Sequence, residues 1–166
     1  MARFLVTGGC GFIGSHLVDS LVRMGHDVFV VDDLSSGKLS NLNAKATITL
    51  GDIRQNSLMT QLMAGMDGCF HLAAIASVQK CTEEWIDTHT VNLTGTISIF
   101  DAARQVGDIP VVYASSAAVY GDGGTEAQSE SQQVNPLSAY GADKYSCEMQ
   151  ARVASVIHQV PSAGFR

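Results

Sequence analysis

A short apolar run, Arg3-Phe4-Leu5-Val6-Thr7, passes without a break into Gly8-Gly9-Cys10-Gly11-Phe12-Ile13-Gly14, and an amphipathic stretch comes directly after. A strand, a glycine-rich turn and a helix in that order commit the chain to a βαβ beginning. Gly8, Gly11 and Gly14 are spaced G-x-x-G-x-x-G. A side chain at Gly8 hinders a tight turn, one at Gly11 holds a pyrophosphate away from the backbone, and one at Gly14 pushes the helix off the strand. The helix N-terminus offers free N–H groups and a positive dipole end to phosphates.

A glycine-rich turn is a common object, and an acid further along the chain makes this one specific. The second strand ends in Val30-Val31-Asp32-Asp33, placing Asp32 eighteen residues after Gly14. That is near the distance at which a dinucleotide site needs an acid to grip the adenosine ribose hydroxyls. A carboxylate there repels a 2'-phosphate, which favours NAD over NADP. The competing reading of Asp32 is a solvated acid at a strand end.

Short runs rich in β-branched residues alternate with longer amphipathic stretches along the whole chain. Strands are expected at residues 3–7, 27–32, 47–50, 69–73 and 110–115, with another beginning at Gly164, and helices at 12–24, 56–65, 83–106 and 138–159. The pattern predicts one α/β domain over residues 1–166, a Rossmann-type doubly wound parallel sheet with flanking helices, cut off before its last strands. In the last helix Met149, Val153, Val156, Ile157 and Val160 recur at spacings of three and four, which predicts a buried stripe. Residues 121–136 are polar, glycine-bearing and aperiodic, and read as a mobile surface loop beside a site.

Composition narrows the function. A formal net charge of -6 leaves no basic stripe for a phosphate backbone, so nucleic acid is not an expected partner. No apolar run approaches the roughly 20 residues that cross a bilayer, and the glycines near the start break any leader-like stretch, so no membrane is expected and the cytosol is the expected compartment. Cys10, Cys69, Cys81 and Cys147 form no C-x-x-C pair and have no histidine at finger spacing. They read as buried or semi-buried free thiols, and no metal site is expected.

The fifth strand ends in Tyr113-Ala114-Ser115-Ser116-Ala117-Ala118-Val119-Tyr120-Gly121, and twenty residues after Tyr120 stand Tyr140 and Lys144, four apart on one predicted helix. That spacing puts both on one face, where an ammonium stands near a phenol. A free tyrosine has a pKa near 10, so bringing it to neutrality requires roughly 4 kcal/mol of selective stabilisation. One nearby cation lowers an acid by about 1 to 3 units, so Lys144 needs a second contributor, and the positive ring of bound NAD is the obvious one. In this reading Tyr140 takes the proton of a substrate hydroxyl while the carbon beneath gives hydride to the nicotinamide, and a serine hydrogen-bonds the same oxygen. A surface tyrosine and lysine one turn apart are the structural alternative.

The motif T-G-G-x-G-F-I-G resembles the loop of the extended short-chain dehydrogenases, the nucleotide-sugar epimerase/dehydratase family. Gly51-Asp52-Ile53-Arg54 resembles that family's segment after strand three, His71-Leu72-Ala73-Ala74 its strand-four H-x-A-A/G, and Val91-Asn92-Leu93-Thr94-Gly95-Thr96 its N-x-x-G-T element. The order and spacing match over essentially all of the chain. By this resemblance the cofactor is NAD, held by Gly8, Gly11, Phe12, Ile13, Gly14, Asp32, Asp33, Asp52, Ile53, Leu72, Ala73, Ala74, Asn92, Tyr140 and Lys144, and the catalytic set is Ser116, Tyr140 and Lys144. Ser116 lies four residues before the Y-G of the strand-five motif, while its neighbour Ser115 stays open as the alternative. The family's dehydratases carry an acidic pair after this serine or threonine and its decarboxylases a glutamate. Ala117 and Ala118 move no protons, which points to simple oxidation and re-reduction and so to a 4-epimerase acting on a UDP-hexose or UDP-N-acetylhexosamine. Family members are about twice as long, and their sugar-nucleotide contacts come from a carboxyl-terminal domain this chain lacks. The resemblance implies a homodimer through the helices at 83–106 and 138–159, with Trp85, Leu93, Ile97 and Phe100 either on that surface or in the core. Two rivals stay open, an NAD-binding module or fragment without turnover, and another oxidoreductase, dehydratase or decarboxylase of the same fold.

Overall fold

Strands β1 (Arg3–Thr7), β2 (Asp27–Asp32), β3 (Thr47–Leu50), β4 (Gly68–His71), β5 (Val111–Ala114) and β6 (Ser162–Phe165) form one sheet in the order β3-β2-β1-β4-β5-β6, every pair parallel. The structure, a computed structural model, describes residues 1–124 and 127–166. The chain winds outward from β1 to β3, then returns to β4 on the other side of β1. The strand order therefore reverses between β1 and β4, and the carboxyl ends of those two strands open the crevice where doubly wound sheets take ligands.

Helices α1 (Phe12–Arg23), α2 (Asn56–Met63), α3 (Val78–Glu83), α4 (Trp85–His89), α5 (Gly95–Gln105) and α6 (Ala139–His158) flank the sheet. Adjacent strand residues point to opposite faces, so each face has its own core. Val6 and Val30 pack with Val18 and Leu21 of α1, whereas Leu5 and Val31 pack with Met59, Met63, Ile99 and Phe100 of α2 and α5. Strands covered on both sides read as unbroken apolar runs, which is why Leu5-Val6 and Val30-Val31 are adjacent.

Three expectations change. The helix expected over 83–106 is broken at Glu84 (φ -112, ψ 50), and a π-helical turn, Thr90–Thr94, leads into α5. The wider turn accompanies the inward side chain of Asn92, which is spent on the backbone of Ile75. Strand β6 begins at Ser162 instead of Gly164 and pairs with β5 over its full length, Val111↔Ser162 to Ala114↔Phe165.

The third change concerns the apolar stripe of α6. Val160 is buried, but Met149, Val153, Val156 and Ile157 are 49%, 46%, 69% and 67% exposed. The helix instead buries Lys144, Cys147, Ala151 and Ala154, whose small members let it approach α5 and β6 closely. Both stripes repeat at three and four, so the period is right and the face is reversed. In the segment 121–136 the described residues carry no helix or strand, and residues 125 and 126 lie outside the described residues.

Candidate active site

Between the ends of β1 and β4 lies a cleft of about 300 Å³. Its wall contains Gly8, Gly11, Phe12, Ile13, Gly14, Asp32, Asp33, Asp52, Ile53, Leu72, Ala73 and Ala74, twelve of the sequence-predicted residues. Gly8 has φ +71, and a Cβ there meets the Ala73 nitrogen at 2.7 Å, so the tight turn admits only glycine. At Gly14 a Cβ would run into the Gly8 carbonyl oxygen, so the first turn of α1 lies directly on the loop. The exposed side chains of Phe12 and Ile13 rim the opening.

Asp32 is not a solvated strand-end acid. It is 7% exposed, and its carboxylate accepts the amides of Cys10 and Leu34, both at 2.9 Å. Its remaining lone pairs are left for the cleft it lines. Asp33 accepts the Ser35 amide and hydroxyl. Asp52 is gripped by Arg54, whose Nε and Nη2 donate to Oδ2 at 2.9 and 2.6 Å. That pairing, first through its hydrogen bonds, holds the Asp52 carboxyl below its ordinary range despite partial burial.

Asn92 is 1% exposed and does not line the cleft. Its amide accepts from the Ile75 nitrogen at 2.8 Å and donates to the Ile75 carbonyl at 3.1 Å, so it shapes the wall through Ile75. A buried chain of bonds supports it. Thr7 Oγ1 accepts from the amides of Leu72 and Ala73 at 3.2 and 3.1 Å, so its own proton goes to Nδ1 of His71 at 2.7 Å. The hydrogen of the His71 ring is thereby assigned to Nε2, which donates to Thr96 Oγ1 at 2.9 Å, and Thr96 donates to the Asn92 carbonyl at 2.6 Å. Burial first, and the nearby Lys144 charge second, push the His71 pKa down to about 3. Sequence reasoning missed Thr7, His71 and Thr96 in this role, and also missed Ser35, Ser36, Ile75 and Ala76 in the cleft wall. Thr7 and His71 are direct partners across β1 and β4, a register no linear spacing reveals.

Ser116, Tyr140 and Lys144 come together beside Ala114, which lines the cleft. Helix α6 starts cleanly because Ser138 caps it, accepting from the Gly141 amide at 3.0 Å. Lys144 is 4% exposed; its Nζ donates to the Ala114 carbonyl at 2.9 Å and stands 5.8 Å from the centre of the Tyr140 ring. Burial lowers the lysine's pKa and raises the tyrosine's, and Ser116, facing the phenol, pulls the latter partly back. The Ser115 hydroxyl is turned to Glu148, whereas Ser116 Oγ accepts the Ala118 amide at 3.1 Å. Among the described residues no helix is long and apolar enough to cross a membrane.

Known proteins resemble the chain over almost its whole length. The model of the NAD dependent epimerase/dehydratase family aligns with residues 4–166. The chain belongs to that family. A UDP-glucose 4-epimerase of Mycolicibacterium smegmatis is 42% identical over 155 residues, covering 89% of this chain and 49% of that protein. The solved UDP-glucose 4-epimerase of Thermotoga maritima, with UDP-glucose, superimposes with a TM-score of 0.94 at 33% identity, over 99% of this chain and 54% of that one. That of Thermus thermophilus, complexed with NAD, gives 0.93 at 32% identity, over 99% and 54%. The chain thus spans about half the length of these relatives, in a family whose cofactor is NAD.

Proposed function

We propose that this chain is the NAD-binding and proton-transferring half of a nucleotide-sugar 4-epimerase, acting on a UDP-hexose or UDP-N-acetylhexosamine. The observation that carries the reading is the meeting of Tyr140, Lys144 and Ser116 beside a glycine-loop cleft, with two residues that hold no protons, Ala117 and Ala118, next in the chain after Ser116. The cleft fits the cofactor: the Gly8–Gly14 loop presents backbone N–H groups to a pyrophosphate, and Asp32 keeps acceptor capacity for ribose hydroxyls. NAD, when bound, supplies the acceptor and then the donor of hydride at the sugar C4. Tyr140 removes the proton of the C4 hydroxyl and later returns it, while Ser116 hydrogen-bonds the same oxygen. Lys144 brings a buried cation to the site and is oriented by its bond to Ala114. An acid or base beyond Tyr140, as elimination or decarboxylation needs, is not offered by Ala117 or Ala118.

Pairing of two copies is part of the same proposal. Trp85 and Ile86 of α4, Ile97 of α5 and Met149, Val153, Val156 and Ile157 of α6 are all exposed, whereas Phe100 is in the core. Exposed apolar side chains gathered on neighbouring helices support a helix-to-helix homodimer.

The half-length coverage favours a second reading, a cofactor-binding module without turnover. Tyr140→Phe separates the two. With UDP-sugars as substrates, the variant loses epimerisation by about a hundredfold or more and keeps its dinucleotide affinity. Equal conversion by variant and parent removes the assignment of Tyr140, and a parent that binds NAD but converts no UDP-sugar leaves the module.

A further inference from the structure

Three consecutive residues at the end of β5 are each met by a side chain of α6, and those side chains are spaced four apart. Lys144 donates to the Ala114 carbonyl at 2.9 Å, the Ser115 hydroxyl donates to Glu148 Oε1, and Ser116 faces the Tyr140 phenol. Residues four apart share one stripe of a helix, so Tyr140, Lys144 and Glu148 register α6 against the strand end as three rungs. The first two rungs belong to the site already described. The third does not touch the cleft and has no part in the proposed proton transfer.

Glu148 is itself held. Arg166 donates to both of its oxygens, Nε to Oε1 at 2.8 Å and Nη2 to Oε2 at 2.6 Å, in a fork whose side chains are only 22% and 17% exposed. A shielded bidentate pair of this kind is stiffer than a surface ion pair. Another arm of the same guanidinium, Nη1, donates to the Tyr120 hydroxyl at 2.8 Å, and the group lies 4.9 Å over the Tyr120 ring. Tyr120 closes the short 3-10 turn, Ala117–Tyr120, that begins immediately after Ser116. Ser116 is therefore gripped from both sides. On one side Ser115 is tied to Glu148, on the other Tyr120 is tied to Arg166, and Glu148 and Arg166 are tied to each other.

We propose that Glu148 and Arg166 are positioning residues of the active site, a clamp that sets the distance between the Ser116 hydroxyl and the Tyr140 phenol. This rests on the reading that Ser116 and Tyr140 serve one substrate oxygen. Ser116 Oγ accepts the Ala118 amide at 3.1 Å, so the strand end and the turn that Tyr120 closes together set where that hydroxyl stands. A salt bridge that only secured β6 at the sheet edge has no reason to engage Ser115 and Tyr120 at once.

The test uses Glu148→Gln and Ser115→Ala in the protein at its natural length. Phenolate formation at Tyr140 is followed in cofactor-free protein by the carbon-13 resonance of its Cζ, with Tyr140→Phe giving the assignment. Both variants raise the apparent Tyr140 pKa, by roughly half a unit to one unit, a partial loss of the Ser116 hydroxyl's charge-assisted hydrogen bond to the phenolate. Charge alone predicts the reverse for Glu148→Gln, because removing an anion and freeing Arg166 favour the phenolate. With UDP-sugar, kcat falls about tenfold while KM stays within about twofold. A Tyr140 titration that is unchanged or moved downward in both variants, with only thermal stability lost, overturns the proposal. Should Glu148→Gln fail to fold, Ser115→Ala deletes a single hydroxyl and decides alone. A parent without turnover defeats the epimerase reading, and the titration still judges the clamp.

Discussion

Lys144 Nζ bonds the Ala114 carbonyl at 2.9 Å and stands 5.8 Å from the centre of the Tyr140 ring, so the ammonium is anchored to the strand end and serves the phenol from a distance. Burial lifts the Tyr140 pKa above its ordinary value near 10, and the nearby Ser116 hydroxyl offsets only part of that rise. In the cofactor-free protein Tyr140 is thus a protonated phenol at neutral pH. The proposed base therefore depends on the cofactor.

NAD binding is therefore expected to lower the apparent Tyr140 pKa by about one unit or more, the effect of one added cation close to the phenol. The Tyr140 Cζ resonance, titrated with and without NAD, measures it. An equal titration in both states would leave the phenol without its second contributor and count against Tyr140 as the base. In the loaded enzyme the epimerisation rate at limiting substrate should rise with pH until Tyr140 is deprotonated, then level off.

His71 makes the fold sensitive to acid. Its pKa is pushed down to about 3 in the folded state, against about 6.5 in an unfolded chain. Between those values the unfolded state binds the extra proton, so stability rises with pH and is lost as pH falls from about 6.5 toward 3. At pH 5 the loss attributable to His71 is about 2 kcal/mol. Urea unfolding at pH 7 and pH 5 should show this difference in the parent and lack it in His71→Asn, which keeps an acceptor for Thr7 and cannot charge. Glu148 does not blur the window. Burial raises its pKa, but the bonds from Arg166 and Ser115 outweigh that and set it below its ordinary value, so its stabilisation is lost only at lower pH. A parent equally stable at both values would refute the neutral, relay-bound histidine.

The cleft wall and the Tyr140–Lys144 pair were legible because their signals are local in the chain. Gly8, Gly14 and Asp32 answer to turn geometry and a fixed spacing, and Tyr140 and Lys144 to one helical turn. The relay from Thr7 through His71 to Thr96 was not legible, since it depends on β1 and β4 being paired in register and on α5 lying over them. The face of α6 misled for a different reason. Large apolar side chains at helical spacing normally mark the core, but here Cys147, Ala151 and Ala154 fill it, and their small size is what lets α6 pack close. The break at Glu84 and the π-helical turn at Thr90–Thr94 were likewise invisible, because the turn's inward residue, Asn92, finds its partner at Ile75 in another part of the chain.

Asp32 is expected to set the choice of dinucleotide. Its carboxylate already accepts two backbone amides that brace the loop, so Asp32→Ala weakens binding of NAD and NADP alike by loosening Cys10 and Leu34. The ratio of the two affinities cancels that shared loss. Removing the repulsion toward a 2'-phosphate and the bonds to ribose hydroxyls should cut the preference for NAD by about tenfold or more, as hydrogen bonds to a charged group are worth roughly 1.5 to 3 kcal/mol. Calorimetric titration with each dinucleotide gives the ratio, and an unchanged ratio would assign Asp32 to the loop alone.

The exposed stripe of α6 predicts association. Met149, Val153, Val156 and Ile157 lie on the face opposite the buried small residues, next to a shallow pocket formed by Ile97, Phe100 and Val153 where α5 meets α6. Charges at Val153 and Ile157 cost the monomer little, because these side chains are 46% and 67% exposed in a single copy. In a dimer the same charges are buried without partners, which costs several kcal/mol per group. Val153→Glu with Ile157→Glu should therefore convert a dimer to monomers in sedimentation analysis while the circular dichroism spectrum and NAD affinity stay near the parent's. A parent that sediments as a monomer at every concentration tested would reject the pairing and leave the stripe to contacts within a longer chain.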